Sequence, residues 1–165
     1  MASILKVDQI NDRTNNNTAM EIDSSGRVLT PARPIFSATK YSANGSVHED
    51  ATAIQWANVL VDQGNHFNNT TGIWTCPVDG IYSVFFNLNL KATNTNWVGA
   101  YVYQNTTLRG QSWSRNNTEF QYDNAVVSLF LDCSANDEIV CGYHDTYSAP
   151  SGTNHYNHIA ISLVG

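Results

Sequence analysis

Two histidines in "HYNH", His155 and His158, are the first place to look for metal chemistry, since imidazole is a common zinc ligand. Three residues apart on an extended strand, their rings point to opposite faces, so one chain cannot clamp a metal with both. Three copies of His158 around an axis could converge; the competing reading is a packed or solvated histidine. Cys76, Cys133 and Cys141 could serve as nucleophiles or ligands, but no two stand at C-x-x-C spacing. An odd, small number is no disulfide framework, which predicts buried thiols. The sequence has no P-loop, no G-x-S-x-G elbow and no H-E-x-x-H. No pair of carboxylates can be argued to flank a substrate. The expectation is a protein that is not an enzyme.

Binding chemistry is better represented. The stretches "NGSVHED" (44–50), "KATNTNW" (91–97), "SWSRNNTEFQYDN" (112–124) and "HDTYSAPSGTNHYN" (144–157) read as polar loops with interleaved rings. Aromatic faces stack on sugars and amides bond their hydroxyls, so Trp97, Trp113, Arg115 and Tyr147 are the candidate surface-loop binding residues. The alternative is that these side chains pack locally. Asn-x-Ser/Thr triplets begin at Asn16, Asn44, Asn68, Asn69, Asn105 and Asn116. In a chain this rich in Asn and Thr they arise by chance, and they become glycan acceptors only in a secreted eukaryotic protein.

These residues must be positioned by strands. No long 3.6-residue stripe runs through the chain, and turn residues recur between short apolar segments, the pattern of an all-β sandwich. Residues 51–64, "ATAIQWANVLVDQG", fit a helix about as well as strands. In "GIYSVFFNLNL", Tyr82, Val84, Phe86, Leu88 and Leu90 share a core face, while Ile81 and Phe85 remain on the other. The segment at 124–133 repeats this: Val127, Leu129, Leu131 and Cys133 on one face, Val126 and Phe130 on the other. So does the last strand, with Ile159, Ile161 and Leu163 opposed by Tyr156, Ala160 and Val164. A sandwich sheet normally keeps a wet outer face, so a doubly apolar one predicts cover by copies of itself.

Residues 1–33 differ. "SILKVDQI" alternates like a strand, and "AMEIDSSGRVLTP" signals a hairpin turning at Ser24-Ser25-Gly26. Pro31 and Pro34 mark a boundary, and a piece this short cannot bury a core alone. The composition narrows the function classes. Of the 165 residues, 42% are hydrophobic and only 13% charged, with a formal net charge of −6. Such a chain has no basic surface to displace phosphate counterions, which argues against nucleic acid. No stretch reaches the roughly 18–20 apolar residues of a membrane helix. The amino terminus shows no signal-peptide core, which predicts use without Sec export or a trimmed chain.

Four segments then resemble one family in order and spacing: "PIFSA" (34–38), "VLVDQGNHFNNTTGIWTCPVDGIYSVFFNLNL" (59–90), "VVSLFLDCSANDEIVCGYH" (126–144) and "HYNHIAISLVG" (155–165). They resemble the globular head of complement subcomponent C1q and its tumour necrosis factor relatives. Gly72, Trp74, Cys76, Pro77, Gly80 and Tyr82 occupy the main motif positions, and Asn136-Asp137 stands where the family usually has Gly-Asp. The resemblance covers residues 34–165 and implies a ten-stranded jelly roll assembling as a homotrimer, with Phe85, Phe130 and Tyr156 approaching the threefold axis. Some members bind Ca²⁺ through aspartates before the "VVSL" strand. Asp123 matches one such position, and the second, eight residues earlier, is Arg115, which removes an oxygen ligand from a cation that needs several.

"ILKVD-x-I-x-D-R" and "M-x-I-D-x-x-G-R-V" within residues 1–33 resemble leaders of structural proteins of marine tailed phages. That resemblance implies a virion-attachment and trimerisation segment. The expectation is then a structural virion protein, a tail fibre, head fibre or related adhesion component, whose partners are its own copies, other virion proteins and a host surface receptor or glycan. The alternative expectation is a secreted C1q-like lectin that binds glycans or proteins.

Overall fold

The computed structural model describes residues 7–11, 13–14, 18–48, 51–92, 97–115, 123–143, 148–150 and 157–165. Its contacts divide the chain into two compact units, residues 1–33 and 34–165. Every regular element among the described residues is a strand.

In the first unit, β1 (Gln9–Asn11), β2 (Thr18–Ile22) and β3 (Val28–Leu29) form an antiparallel sheet in that order. The hairpin expected at Ser24-Ser25-Gly26 is present. The Asp23 carboxylate accepts from the backbone nitrogens of Ser25 and Arg27, each at 2.9 Å, and Gly26 takes φ +78°. Of the described residues in "SILKVDQI", Gln9 and Ile10 are strand, paired with Glu21 and Met20 of β2; residues 1–6 lie outside the described residues.

The second unit contains β4 (Ile35–His48), β5 (Ala51–Gln63), β6 (Phe67–Asn68), β7 (Ile73–Thr75), β8 (Gly80–Ala92), β9 (Trp97–Gln104), β10 (Thr107–Arg115), β11 (Asp123–Cys133), β12 (Glu138–Tyr143), β13 (Ser148–Pro150) and β14 (His158–Leu163). The hydrogen-bonded order is β10-β9-β12-β5-β4-β14-β8-β11, antiparallel throughout. Most neighbours are distant in sequence, as in a jelly roll. The path folds over so that β10 and β9 come against β11, giving two layers around the main core. Residues 51–63, open between helix and strand by sequence, are strand: their Val, Ile and Thr side chains suit the pleat, and the long hairpin with β4 supplies the partners.

The alternation in β8 builds the core. Tyr82, Val84, Phe86 and Leu88 are fully buried, each contributing about 1.5–3 kcal/mol by leaving water. Packed with them in the same core are Phe36, Ile54, Trp56, Val102, Ile139 and Ile161. Trp74 meets the Tyr82 ring edge-on at 5.3 Å and Trp56 meets Phe86 at 6.4 Å. The Tyr82 hydroxyl donates to the Val78 carbonyl at 2.8 Å, so the buried ring keeps its polar end satisfied.

The motif glycine Gly72 (φ +77°) has a local reason. A Cβ there would lie 2.8 Å from the Ile54 carbonyl oxygen, so the turn closes only with Gly.

Candidate assembly face and surface aromatics

The outer face of the layer β11-β8-β14-β4 follows from register. Phe130 pairs with Ser83, Ser83 with Ser162, and Ser162 with Ile35. The next row inward is Ser128, Phe85, Ala160 and Ser37, and the third is Val126, Asn87, His158 and Thr39. No Asp, Glu, Lys or Arg interrupts these rows. The large side chains stand well out of small neighbours: Phe130 is 70% exposed, against 37% for Phe85 and 45% for Val126. The face continues onto β5, where Val61 pairs with Ser37 and the bulged Leu60 is 59% exposed. His158 belongs to it. Its Nε2 lies 3.1 Å from Ser37 Oγ, and its ring is 5.7 Å from Phe85, a packed position. Phe85 and Phe130 thus lie on adjacent strands of one face; Tyr156 and His155 lie outside the described residues.

The surface-loop candidates need correction. Trp97 opens β9, Trp113 lies within β10 and Arg115 ends it, so these three are strand residues. The physical reason is a tight hairpin: Gln104 pairs with Thr107 across Asn105-Thr106, Asn105 takes φ +52°, and the ladder runs out to Arg115–Trp97. Similarly, 44–48 continue β4 rather than forming a loop. Tyr147 lies outside the described residues. Trp113 is 42% exposed and leans edge-on against Tyr101 at 5.4 Å. Tyr101 and Tyr103 are themselves buried with Ala51, Ala53 and Val140 in a second apolar cluster. The alternation of Tyr101, Val102 and Tyr103 carried a signal for this second cluster, which a one-core reading passes over.

The Asn136-Asp137 position is a structural clamp. Asn136 takes φ +72°, a conformation Asn tolerates in place of Gly. The Asp137 carboxylate accepts from Gln104 Nε2 and Asn105 Nδ2, both at 2.7 Å, and from Ser134 N at 3.0 Å. These donors, the Asn105 side chain foremost, hold its pKa below the ordinary 3.8. Asn69 shows how an amide substitutes for a strand: Oδ1 accepts from Trp56 N at 2.7 Å and Nδ2 donates to Trp56 O at 3.1 Å.

Cys76, Cys133 and Cys141 are buried free thiols. Burial pushes all three above the usual thiol range, which leaves them inert. The calcium reading rests on Asp123, the first residue of β11, with Arg115 at the end of β10. One carboxylate and one guanidinium do not make the donor set of a hard cation. Among the described residues no three His, Cys, Asp or Glu side chains cluster as ligands.

The C1q domain family model matches residues 35–160. The chain belongs to the C1q domain family. It is 25% identical over 109 residues to the collagen alpha-1(X) chain of Mus musculus, a match covering 66% of this chain and 15% of that protein. The chain therefore spans only a small part of that relative's length. Among solved structures, the globular domain of zebrafish complement 1qA superposes with a TM-score of 0.62 at 14% identity, covering 80% of this chain and 98% of that one. Murine APRIL at pH 5.0 gives 0.65 at 12% identity (80% and 99% covered), and Eiger TNF from S. frugiperda 0.64 at 8% (81% and 94%). At these identities the structural likeness establishes the C1q/TNF jelly roll.

Proposed function

We propose that this chain is a homotrimeric C1q-type binding head carried on an N-terminal attachment segment, residues 1–33. The observation that carries the reading is the three charge-free rows on the outer face of β11-β8-β14-β4, bordered by the Asp132–Ile81 pair. An exposed ring such as Phe130, standing above Ser83 and Ser128 on a stiff sheet, gains stability when a second copy covers it. Around a threefold axis, Phe85 and Phe130 of each copy meet this requirement, with Tyr156 joining them. Membership in the C1q family supports a binding and structural role over a catalytic one. Three copies turn weak single sites into avid attachment to a partner protein or glycan. Trp113, Trp97, Arg115 and Tyr147 are the side chains proposed to meet it.

The family relation favours a secreted recognition protein as the setting for this head. A second setting, a tailed-phage fibre or adhesion component, is favoured by residues 1–33, which lie outside the family match and form their own unit. Cross-links from Lys6 to particle proteins would support the virion setting; recovery of the chain only as free extracellular protein would support the secreted one.

The assembly is tested by Phe130→Asp. The variant is expected to keep the wild-type β-sheet spectrum and cooperative melt while sedimenting as single chains. A variant that still sediments as a trimer would overturn the proposed face.

A further inference from the structure

The leader unit has an apolar face of its own. Ile10 pairs with Met20 and Ile22 with Val28, and Met20 and Ile22 are two residues apart on β2. All four therefore share one side of the sheet, while Gln9, Glu21 and Leu29 occupy the other. Their exposures run from 38% for Met20 to 57% for Val28. Together with Val7, Asp8 and Gln9 they line a shallow depression of about 40 Å³. The side on which they emerge is fixed, because the Asp23 carboxylate locks the β2–β3 turn through Ser25 N, Arg27 N and Arg27 Nε. A three-stranded sheet with one open apolar face is marginal in water and needs a cover.

We infer that the cover is the same face of the sister leaders, so that three β1-β2-β3 sheets close around one axis as a second trimerisation unit. Three features point to copies of this chain. Each leader is joined through residues 30–34 to Ile35, which sits in a row of the proposed assembly face with Phe130. Trimeric heads would hold three leaders on tethers of at most about 18 Å, at high effective concentration. Charge raises no obstacle: residues 1–33 carry four cationic and four anionic side chains, so the whole formal charge of −6 resides in residues 34–165. Of the residues lining the depression, only Asp8, at its edge, is ionisable.

This rests on the trimeric head proposed above, and one experiment separates the two. Met20→Cys and Glu21→Cys are made singly in the full chain, whose native thiols are buried. Native mass is measured first, then each protein is treated with a short bismaleimide. The expected result is a trimer in which Met20→Cys chains are joined in pairs and Glu21→Cys chains, on the opposite face, are not. A trimer in which the two variants cross-link equally or not at all overturns the leader interface while leaving the head intact. A single-chain mass overturns both. Protection of Met20→Cys from the reagent only when a carrier protein is added also overturns it, assigning the face to that partner.

Discussion

The amide of Asn105 and the carboxylate of Asp137 fasten two turns: Asn105 Nδ2 donates to Asp137 Oδ1 at 2.7 Å, and Asn105 Oδ1 accepts from Glu138 N at 2.9 Å. The β9–β10 turn is thereby tied to the turn that enters β12, although the residues are 32 apart in sequence. Replacing Asp137 by Ala removes the acceptor of Asn105 Nδ2 and one of the two acceptors of Gln104 Nε2, which keeps the Asp132 carbonyl at 2.9 Å. The expected loss is about 1–3 kcal/mol, read from denaturant midpoints at unchanged slope.

The same carboxylate sets an acid dependence. Its folded pKa lies below the ordinary 3.8, so its contribution is fully present above 3.8 and is lost as pH falls through the folded value. Melting temperature against pH should therefore drop for the wild type below 3.8 more steeply than for Asp137→Asn. Parallel profiles for the two proteins would remove Asp137 as the cause.

Tyr82 sets the alkaline counterpart. Burial pushes its phenol up from 10.0 to about 12. The folded pKa is raised, so the stabilisation is complete below pH 10 and lost as pH rises through about 12. Tyr82→Phe should cost about 1 kcal/mol at neutral pH from the lost bond and flatten the alkaline fall in stability.

Gly72 tests the turn at "TTGIW". Ala at φ +77° is strained, and its Cβ meets the Ile54 carbonyl at 2.8 Å. Gly72→Ala should destabilise by about 1–3 kcal/mol, measured by thermal or urea unfolding. An unchanged midpoint would show that β5 can yield there.

The core faces of β8, β11 and β14 were legible because burial on one side leaves a strict two-residue period, as with Tyr82, Val84, Phe86 and Leu88. Their second apolar side was legible too, through Phe85 and Phe130. What could not be read was non-local. Trp113 and Arg115 looked like loop residues because β10, TLRGQSWSR, is rich in Ser, Gly, Gln and Arg, and its ladder to β9 makes the strand. Leu60 joins the outer surface only because a bulge opposite Ser37–Ala38 turns it outward. Asn69 showed as a glycosylation triplet, whereas its amide occupies the Trp56 backbone. Pairings of this kind depend on which strands meet, and local composition does not encode that.

The most direct test of the central claim is the native mass of the full chain in solution, by sedimentation or native mass spectrometry across a dilution series. The account predicts three times the 18.2 kDa chain mass, persisting on dilution. A mass of 18.2 kDa at every concentration would contradict it, leaving the Phe85–Phe130 face an exposed surface of a single jelly roll.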